Sequence, residues 1–408
     1  MSGGHFIKTF DGEERRPTLD EVKPIGSWPK QYKFTLNRES AIERIGNSVP
    51  PLFMRAIARH IRSLPPMPLT TGAASYKDAL DAAWAEHLAP RTADAPTVIS
   101  TFAGCGGSSL GYSMAGFREL LAVEWEQNAA DTFRLNFPEV PLYHGDIAKL
   151  SVDEALRRTG LAPGELDVFD GSPPCQGFST AGKRDFGDGR NQLFREYVRL
   201  LRGLRPKVFV MENVSGMVKG KMKVIFAEIL RELKASGYAV KARLLNAMFF
   251  GVPQSRERMI FIGVRNDLAI EPTFPRGNTH TIASGDAIAG VCATPLGRPT
   301  AMIRSIADRI KWGGDAGDHT PRGTGFSVIR LNPNKPSNCI TKHVAGMSGI
   351  LQPAGDGYLS EAQIKRLGSF PDRFRLTGTP AEKWARIGNS VPPLLMRAVS
   401  GHARTSLL

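Results

Sequence analysis

The feature that most restricts the fold of this chain is a regular alternation of short apolar runs and amphipathic stretches, beginning at Thr97 and ending near Gly263. Val98-Ile99-Ser100-Thr101-Phe102 reads as a buried strand, followed by a Gly-rich turn and a helix through Met114. The pattern continues with strands at 120–124, 142–143, 166–170, 208–211 and 259–264, and helices at 127–136, 152–158 and 192–204. Such alternation predicts an α/β fold in which a mostly parallel sheet carries helices on both faces. Residues 64–96, with Pro65-Pro66 and an Ala-rich stretch, read as a linker holding one short helix at 76–87. The resulting segments are 1–63, a terminal element; 64–96, the linker; 97–265, the α/β region; 266–335, smaller and loop-rich; and 336–408, a C-terminal segment.

Charge and cysteine usage narrow the function classes. The 408 residues carry a formal net charge of +14, as expected of a chain that meets a polyanion, where each Lys or Arg on a phosphate releases a counterion. Four cysteines, Cys105, Cys175, Cys292 and Cys339, are widely spaced without a C-x-x-C pair, which fits reduced thiols in a cytoplasm better than disulfides or a metal site. No apolar run reaches the ~18 residues of a membrane helix, and Met1-Ser2-Gly3-Gly4-His5-Phe6 lacks a secretory pattern.

Ser172-Pro173-Pro174-Cys175-Gln176-Gly177-Phe178-Ser179 follows the strand at 166–170. A cysteine just past a strand end, approached through two stiff prolines, sits where an α/β sheet places its chemistry. A neighbouring parallel strand at 208–211 would bring Glu212 to the same sheet edge, and a thiol and a carboxyl facing one pocket suit nucleophilic attack assisted by an acid. A buried structural cysteine is the commoner fate of such a residue. The Gly-rich turn Phe102-Ala103-Gly104-Cys105-Gly106-Gly107 lets backbone approach a ligand closely. Glu124, roughly 20 residues on, is where a carboxylate would hold ribose hydroxyls. Trp125 offers a face for a purine, and Asp146 an acceptor for an exocyclic amine, or a cap for the helical turn that follows. Together they suggest an adenosine-containing ligand, while the glycine spacing departs from the dinucleotide fingerprint.

With Pro174-Cys175-Gln176, Glu212-Asn213-Val214, Gln254-x-Arg256-x-Arg258 and Gly388-Asn389-Ser390-Val391 following the Gly-rich turn in this order, the chain resembles the DNA cytosine-5 methyltransferases from Thr97 to Ala398. The resemblance implies a Rossmann-like fold that binds S-adenosylmethionine, with 336–408 completing the catalytic domain and 266–335 recognising the target. It implies methyl transfer to carbon 5 of a cytosine flipped out of double-stranded DNA, through an adduct of Cys175 with carbon 6. By position, Cys175, Glu212, Arg256 and Arg258 match the family's catalytic residues. Phe102, Gly104, Gly106, Glu124, Trp125, Asp146, Ile147, Pro174, Leu193, Asn389 and Ser390 match its cofactor contacts; no metal is implied. The loop Ser179–Asn191 would close over the base. Arg276, His280, Arg298, Arg304, Arg309, Lys311 and Arg322 are candidates for DNA contact. Expected further are a monomer, a bacterial cytoplasmic and nucleoid setting, a cognate restriction endonuclease, and no membrane partner. An RNA cytosine-5 methyltransferase on the same core, or a silent DNA-binding homologue, are the alternative readings.

One feature stands outside this scheme. Arg44-Ile45-Gly46-Asn47-Ser48-Val49-Pro50-Pro51-Leu52 recurs unchanged as 386–394, and similarity extends without a gap on both sides. In the resembling family the later segment packs beside the Gly-rich turn, and one niche cannot hold both copies. Connectivity through Pro336-Ser337-Asn338-Cys339-Ile340-Thr341 favours the C-terminal copy. Helix quality favours the N-terminal one, because Ile57, Ile61 and Leu64 continue an apolar stripe whereas Ser400-Gly401 would interrupt the C-terminal helix. Either copy is expected to serve, the other being partly redundant.

Overall fold

The computed structural model describes residues 7–8, 12, 14–34, 37–63, 75–174, 192–218, 222–319, 327–344 and 348–408. Cys175, the loop Ser179–Asn191 and Arg322 lie outside the described residues. The chain divides into two compact units, Met1–Ala73 and Ala74–Leu408.

In the first unit β1 (Ile7–Lys8) pairs antiparallel with β2 (Glu14–Arg15), ahead of α1 (Leu19–Ile25), α2 (Arg38–Asn47) and α3 (Pro51–Ser63). Thr18 opens α1, its backbone N–H and hydroxyl both donating to Glu21 Oε2 at 2.7 and 2.9 Å. Asn37 opens α2 by accepting from Ser40 N at 2.9 Å. Ala41 and Ile45 are buried on one face of α2, and the rings of Trp28, Tyr32 and Phe34 cluster at centroid distances of 4.5–5.5 Å.

The second unit begins with α4 (Tyr76–Leu88), which buries Tyr76, Leu80 and Ala83. The predicted alternation follows: β3 (Thr97–Thr101), α5 (Gly107–Met114), β4 (Arg118–Glu124), α6 (Gln127–Asn136), β5 (Leu142–His144), α7 (Val152–Thr159), β6 (Val168–Gly171), α8 (Gln192–Leu204) and β7 (Val208–Val214). Then come α9 (Met222–Ala235), β8 (Tyr238–Asn246) and β9 (Glu257–Arg265). A seven-stranded sheet forms in the order β5-β4-β3-β6-β7-β9-β8. Strands β5 to β7 are parallel, and β9 joins β7 and β8 antiparallel.

Strand β8 was not apparent in the sequence because it is an edge strand. Lys241 and Arg243 break its apolar run, and it buries only alternate parts of its length. The central strands are covered twice. Val98, Val168 and Val208 face Tyr112 of α5, while Ile99, Phe169 and Phe209 face Tyr197 and Leu201 of α8. Chain order reverses between β3 and β6, which opens a crevice at their carboxyl ends.

The remaining elements are α10 (Ser284–Ala287), α11 (Ala301–Ile306), the parallel pair β10 (Ser327–Arg330) and β11 (Ser348–Leu351), α12 (Glu361–Leu367), α13 (Pro380–Asn389) and α14 (Pro393–Ser406). Where regular structure is sparse, a buried arginine organises the backbone. Arg330 donates to the carbonyls of Ile310 and Gln352 at 2.9 Å and of Gly355 at 3.0 Å. The expected interruption of the last helix does not occur. Helix α14 runs through Ser400-Gly401, because the Ser400 hydroxyl donates to Met396 O at 2.8 Å and Gly111 O at 3.3 Å. A residue that weakens an isolated helix here fixes the helix onto α5.

Candidate active site

The turn after β3 takes positive φ at Phe102 (55°), Gly104 (58°) and Gly106 (95°), which folds the chain back under the start of α5. At Gly104 a Cβ would meet no protein atom within 4 Å, so the turn borders open space. Glu124, buried at the end of β4, ties two strand ends together. Its Oε2 accepts from Gly104 N at 2.7 Å and its Oε1 from the backbone of Trp125 and Glu126 at 3.0 and 2.8 Å. Trp125 is 76% exposed, a bare ring beside that carboxylate. Asp146 caps the turn after β5, accepting from Ala148 N at 3.0 Å, with Ile147 buried beneath. Pro174 is exposed, and Leu193 is half-buried at the start of α8. Open space at a glycine, an anchored carboxylate and a bare indole together fit an adenosine-bearing ligand.

The C-terminal copy of the repeated segment closes this side. Asn389 is exposed at the end of α13, and Ser390 Oγ lies 3.2 Å from Cys105 Sγ of the Gly-rich turn. Helix α14 approaches α5 so closely that a Cβ at Gly111 would sit 2.6 Å from Met396 Cβ. Arg386 pairs with Glu126, and Arg397 with Glu86 at 2.5 Å. The niche beside the Gly-rich turn therefore holds residues 386–399.

Across the switch point, the parallel pairing of β6 with β7 sets Gly171 beside Met211 and Glu212 next to the segment leading to residue 175. Asn213, to which the sequence assigned no role beyond its motif, donates from Nδ2 to Pro173 O at 3.0 Å and holds that segment. Glu212 Oε1 and Arg258 Nε form an ion pair at 2.7 Å, with both side chains only about a tenth exposed. Arg256 stands differently from the expected substrate contact. It is fully buried, donating to Ile340 O at 2.9 Å and Gly388 O at 2.7 Å and lying 3.2 Å from Cys339 Sγ. Burial, and next the neighbouring Arg258, push its guanidinium down to about 10. It is a positioning residue that ties the C-terminal segment to β9.

Two carboxyls lie beneath the site. Asp170, at the end of β6, accepts from the Tyr112 hydroxyl at 3.2 Å, and burial raises its pKa well above the ordinary range. Glu119 accepts from Ser109 of α5 at 2.9 Å and is pushed up by burial to about 7. No group of three or more metal-binding side chains occurs among the described residues, and no helix there is long and apolar enough to cross a membrane.

A family model described as C-5 cytosine-specific DNA methylase matches residues 3–63 and 96–294. The chain belongs to this family. It is 37% identical over 324 residues to the Type II methyltransferase M1.HphI of Haemophilus parahaemolyticus, an alignment covering 74% of this chain and 85% of the relative. It is 38% identical over 352 residues to M.NgoPII of Neisseria gonorrhoeae, covering 79% and 99%. In fold it is similar to a solved protein encoded within an E. coli prophage, with TM-score 0.64 and 23% identity, covering 77% of this chain and 99% of the other. The C-5 methylase family uses S-adenosylmethionine, an adenosine-bearing ligand, as methyl donor. The family match includes the N-terminal copy of the repeat and ends before the C-terminal one, although the latter is seated on α5.

Proposed function

We propose that this methylase modifies carbon 5 of a cytosine within a specific double-stranded DNA sequence, through an adduct between Cys175 Sγ and carbon 6. The observation that carries the reading is the Glu212–Arg258 pair, held beside Ser172-Pro173-Pro174 by strand pairing and by the Asn213 clamp. Carbon 5 of cytosine is a poor nucleophile. As the Cys175 thiolate bonds to carbon 6, the Glu212 carboxyl accepts from the 4-amino group of the ring, and carbon 5 gains enamine character. Arg258 fixes the Glu212 carboxyl and sets positive charge beside the ring. S-adenosylmethionine, when bound, supplies an electrophilic methyl group. Loss of the carbon 5 proton to a base and breakage of the sulfur–carbon bond then return Cys175 and release 5-methylcytosine. The base reaches these groups only after leaving the helix stack.

Asn389, Ser390, Glu124, Trp125, Asp146, Ile147, Pro174, Leu193 and the Phe102–Gly106 turn are proposed to hold the donor. Residues 266–335 are proposed to read the target, with the exposed Arg298, Arg304, Arg309 and Lys311 meeting phosphates or base edges. Trp312, 53% exposed, lines a cavity of about 650 Å³ with Lys311 and Arg330 on the same region. A monomer acting beside a cognate endonuclease on nucleoid DNA completes the reading.

The test is incubation with S-adenosylmethionine and a duplex carrying 5-fluorocytosine, where the fluorine blocks the final proton loss. A denaturation-resistant protein–DNA adduct is expected from the natural chain and none from Cys175→Ser. Equal trapping by the serine variant, or trapping on tRNA but not on DNA, would overturn the proposal.

A further inference from the structure

The two copies of the repeat share a fold. Helices α1, α2 and α3 stand at the sequence positions matching α12, α13 and α14. Ser27 and Ser369 both take positive φ, 59° and 61°, and each hydroxyl accepts from the matching backbone amide, Leu52 N at 3.0 Å and Leu394 N at 3.2 Å. What differs is what covers them. In the C-terminal copy Val391, Leu395, Met396 and Val399 are buried in the core that contains Tyr112 of α5. Their counterparts Val49, Phe53, Met54 and Ile57 are 53%, 60%, 48% and 37% exposed. Arg44 and Arg55, matching the arginines that meet Glu126 and Glu86, are exposed as well. A contiguous apolar face flanked by cations is a docking surface whose complement is already known in shape, a groove like that of α5 edged by carboxylates.

We propose that the N-terminal unit docks onto the catalytic unit of another cytosine-5 methylase chain, one whose groove is not closed by an element of its own. The side chains point away from a second copy of this chain. Its groove holds Leu395 and Val399 with no exposed surface, and Phe53 and Ile57 at those positions are larger. The fitting partner is a relative with a roomier groove at these two positions and acidic groups facing Arg44 and Arg55.

The vacated groove of this chain serves as the probe, using full-length proteins. The recipient carries Leu395→Glu and Met396→Glu to release α14, with Val49→Glu and Met54→Glu to silence its own N-terminal unit. The donor carries Cys175→Ser, so it cannot methylate, and is tested unmodified and with Phe53→Leu/Ile57→Val, which matches its face to the resident one. The matched donor is expected to restore duplex methylation about tenfold better than the unmodified donor, as a penalty near 1.4 kcal/mol would give. A second readout needs no catalysis. With Ser48→Cys added to the matched donor, oxidised glutathione should link it to Cys105 of the recipient, because Ser390 Oγ stands 3.2 Å from that sulfur in the resident copy. Absence of both rescue and cross-link with the matched donor would overturn the proposal. Equal performance by the unmodified donor would also overturn it, making a second copy of this chain the partner.

Discussion

The same nine residues occupy two environments in this protein. In 386–394 they form a wall of the candidate active site. Gly388 receives Arg256 on its carbonyl at 2.7 Å, Ser390 faces Cys105, and the following helix is buried on α5. In 44–52 the identical residues build the same helix–turn–helix, yet Val49 and Leu52 are more than half exposed. The local conformation is a property of the segment, since caps, the strained serine and the proline-started helix recur in both. Burial, and with it function, is a property of the neighbours.

Four experiments sharpen or break this comparison. The largest difference is expected from placing a charge on each face. Met396→Asp buries a carboxylate without a partner and should cost on the order of 3–5 kcal/mol, whereas Met54→Asp should change stability by less than about 0.5 kcal/mol. Denaturant titration reads both, with Trp28, the one tryptophan of residues 1–73, reporting its own unit. Comparable losses from the two variants would mean that the N-terminal face is covered.

The second experiment uses pH. Glu119, held near 7 by burial, binds its proton more tightly in the folded unit than at its ordinary value of 4.5. Its contribution is fully present below about 4.5 and is lost as pH rises through 7, a change on the order of 3 kcal/mol. Glu119→Gln should flatten the pH–stability profile of the second unit between about pH 4.5 and 7, as melting curves recorded at closely spaced pH values across that window would show. An unchanged slope would remove Glu119 from the account.

The third compares glycines. A Cβ at Gly388 would lie 2.2 Å from Thr341 O, while at Gly46 it would meet nothing within 4 Å. Gly388→Ala should therefore destabilise by about 1–3 kcal/mol, and Gly46→Ala should stabilise its helix by up to ~1 kcal/mol. Opposite signs in calorimetry are the expected outcome. The smallest effect is acidic. Glu21 is held down to about 2, chiefly by Arg15 and then by Thr18, whereas its counterpart in the other copy is the uncharged Gln363. Its stabilising share is present above about 4.5 and disappears as pH falls toward 2. Acid titration of Trp28 fluorescence in Glu21→Gln should show a weaker dependence in that range.

Much of the fold was legible in advance because central strands buried on both faces read as continuous apolar runs, and α6 and α8 appear with the predicted ends. The edge strand β8 was not, since half its residues face away from the core. Of the site, Glu212 could be placed from strand order alone, as could Glu124 beside the Gly-rich turn, whereas Arg258 followed only from the family resemblance. Arg256 could not be told from Arg258 by sequence, since both stand in one short motif, and only the packing of Ile340 and Gly388 against one of them assigns it a structural task. Ser400 supports the last helix for the same reason, as its acceptor on Gly111 lies far away in the chain.

By itself the sequence determined the α/β alternation and the family, because these rest on local periodicity and on motifs a few residues long. Only the tertiary structure decided which copy of the repeated segment closes the pocket and which buried arginine is a brace. Both outcomes depend on contacts between residues distant in the chain, where a glycine surface on α5 and a free carbonyl on Gly388 select their partners by close fit.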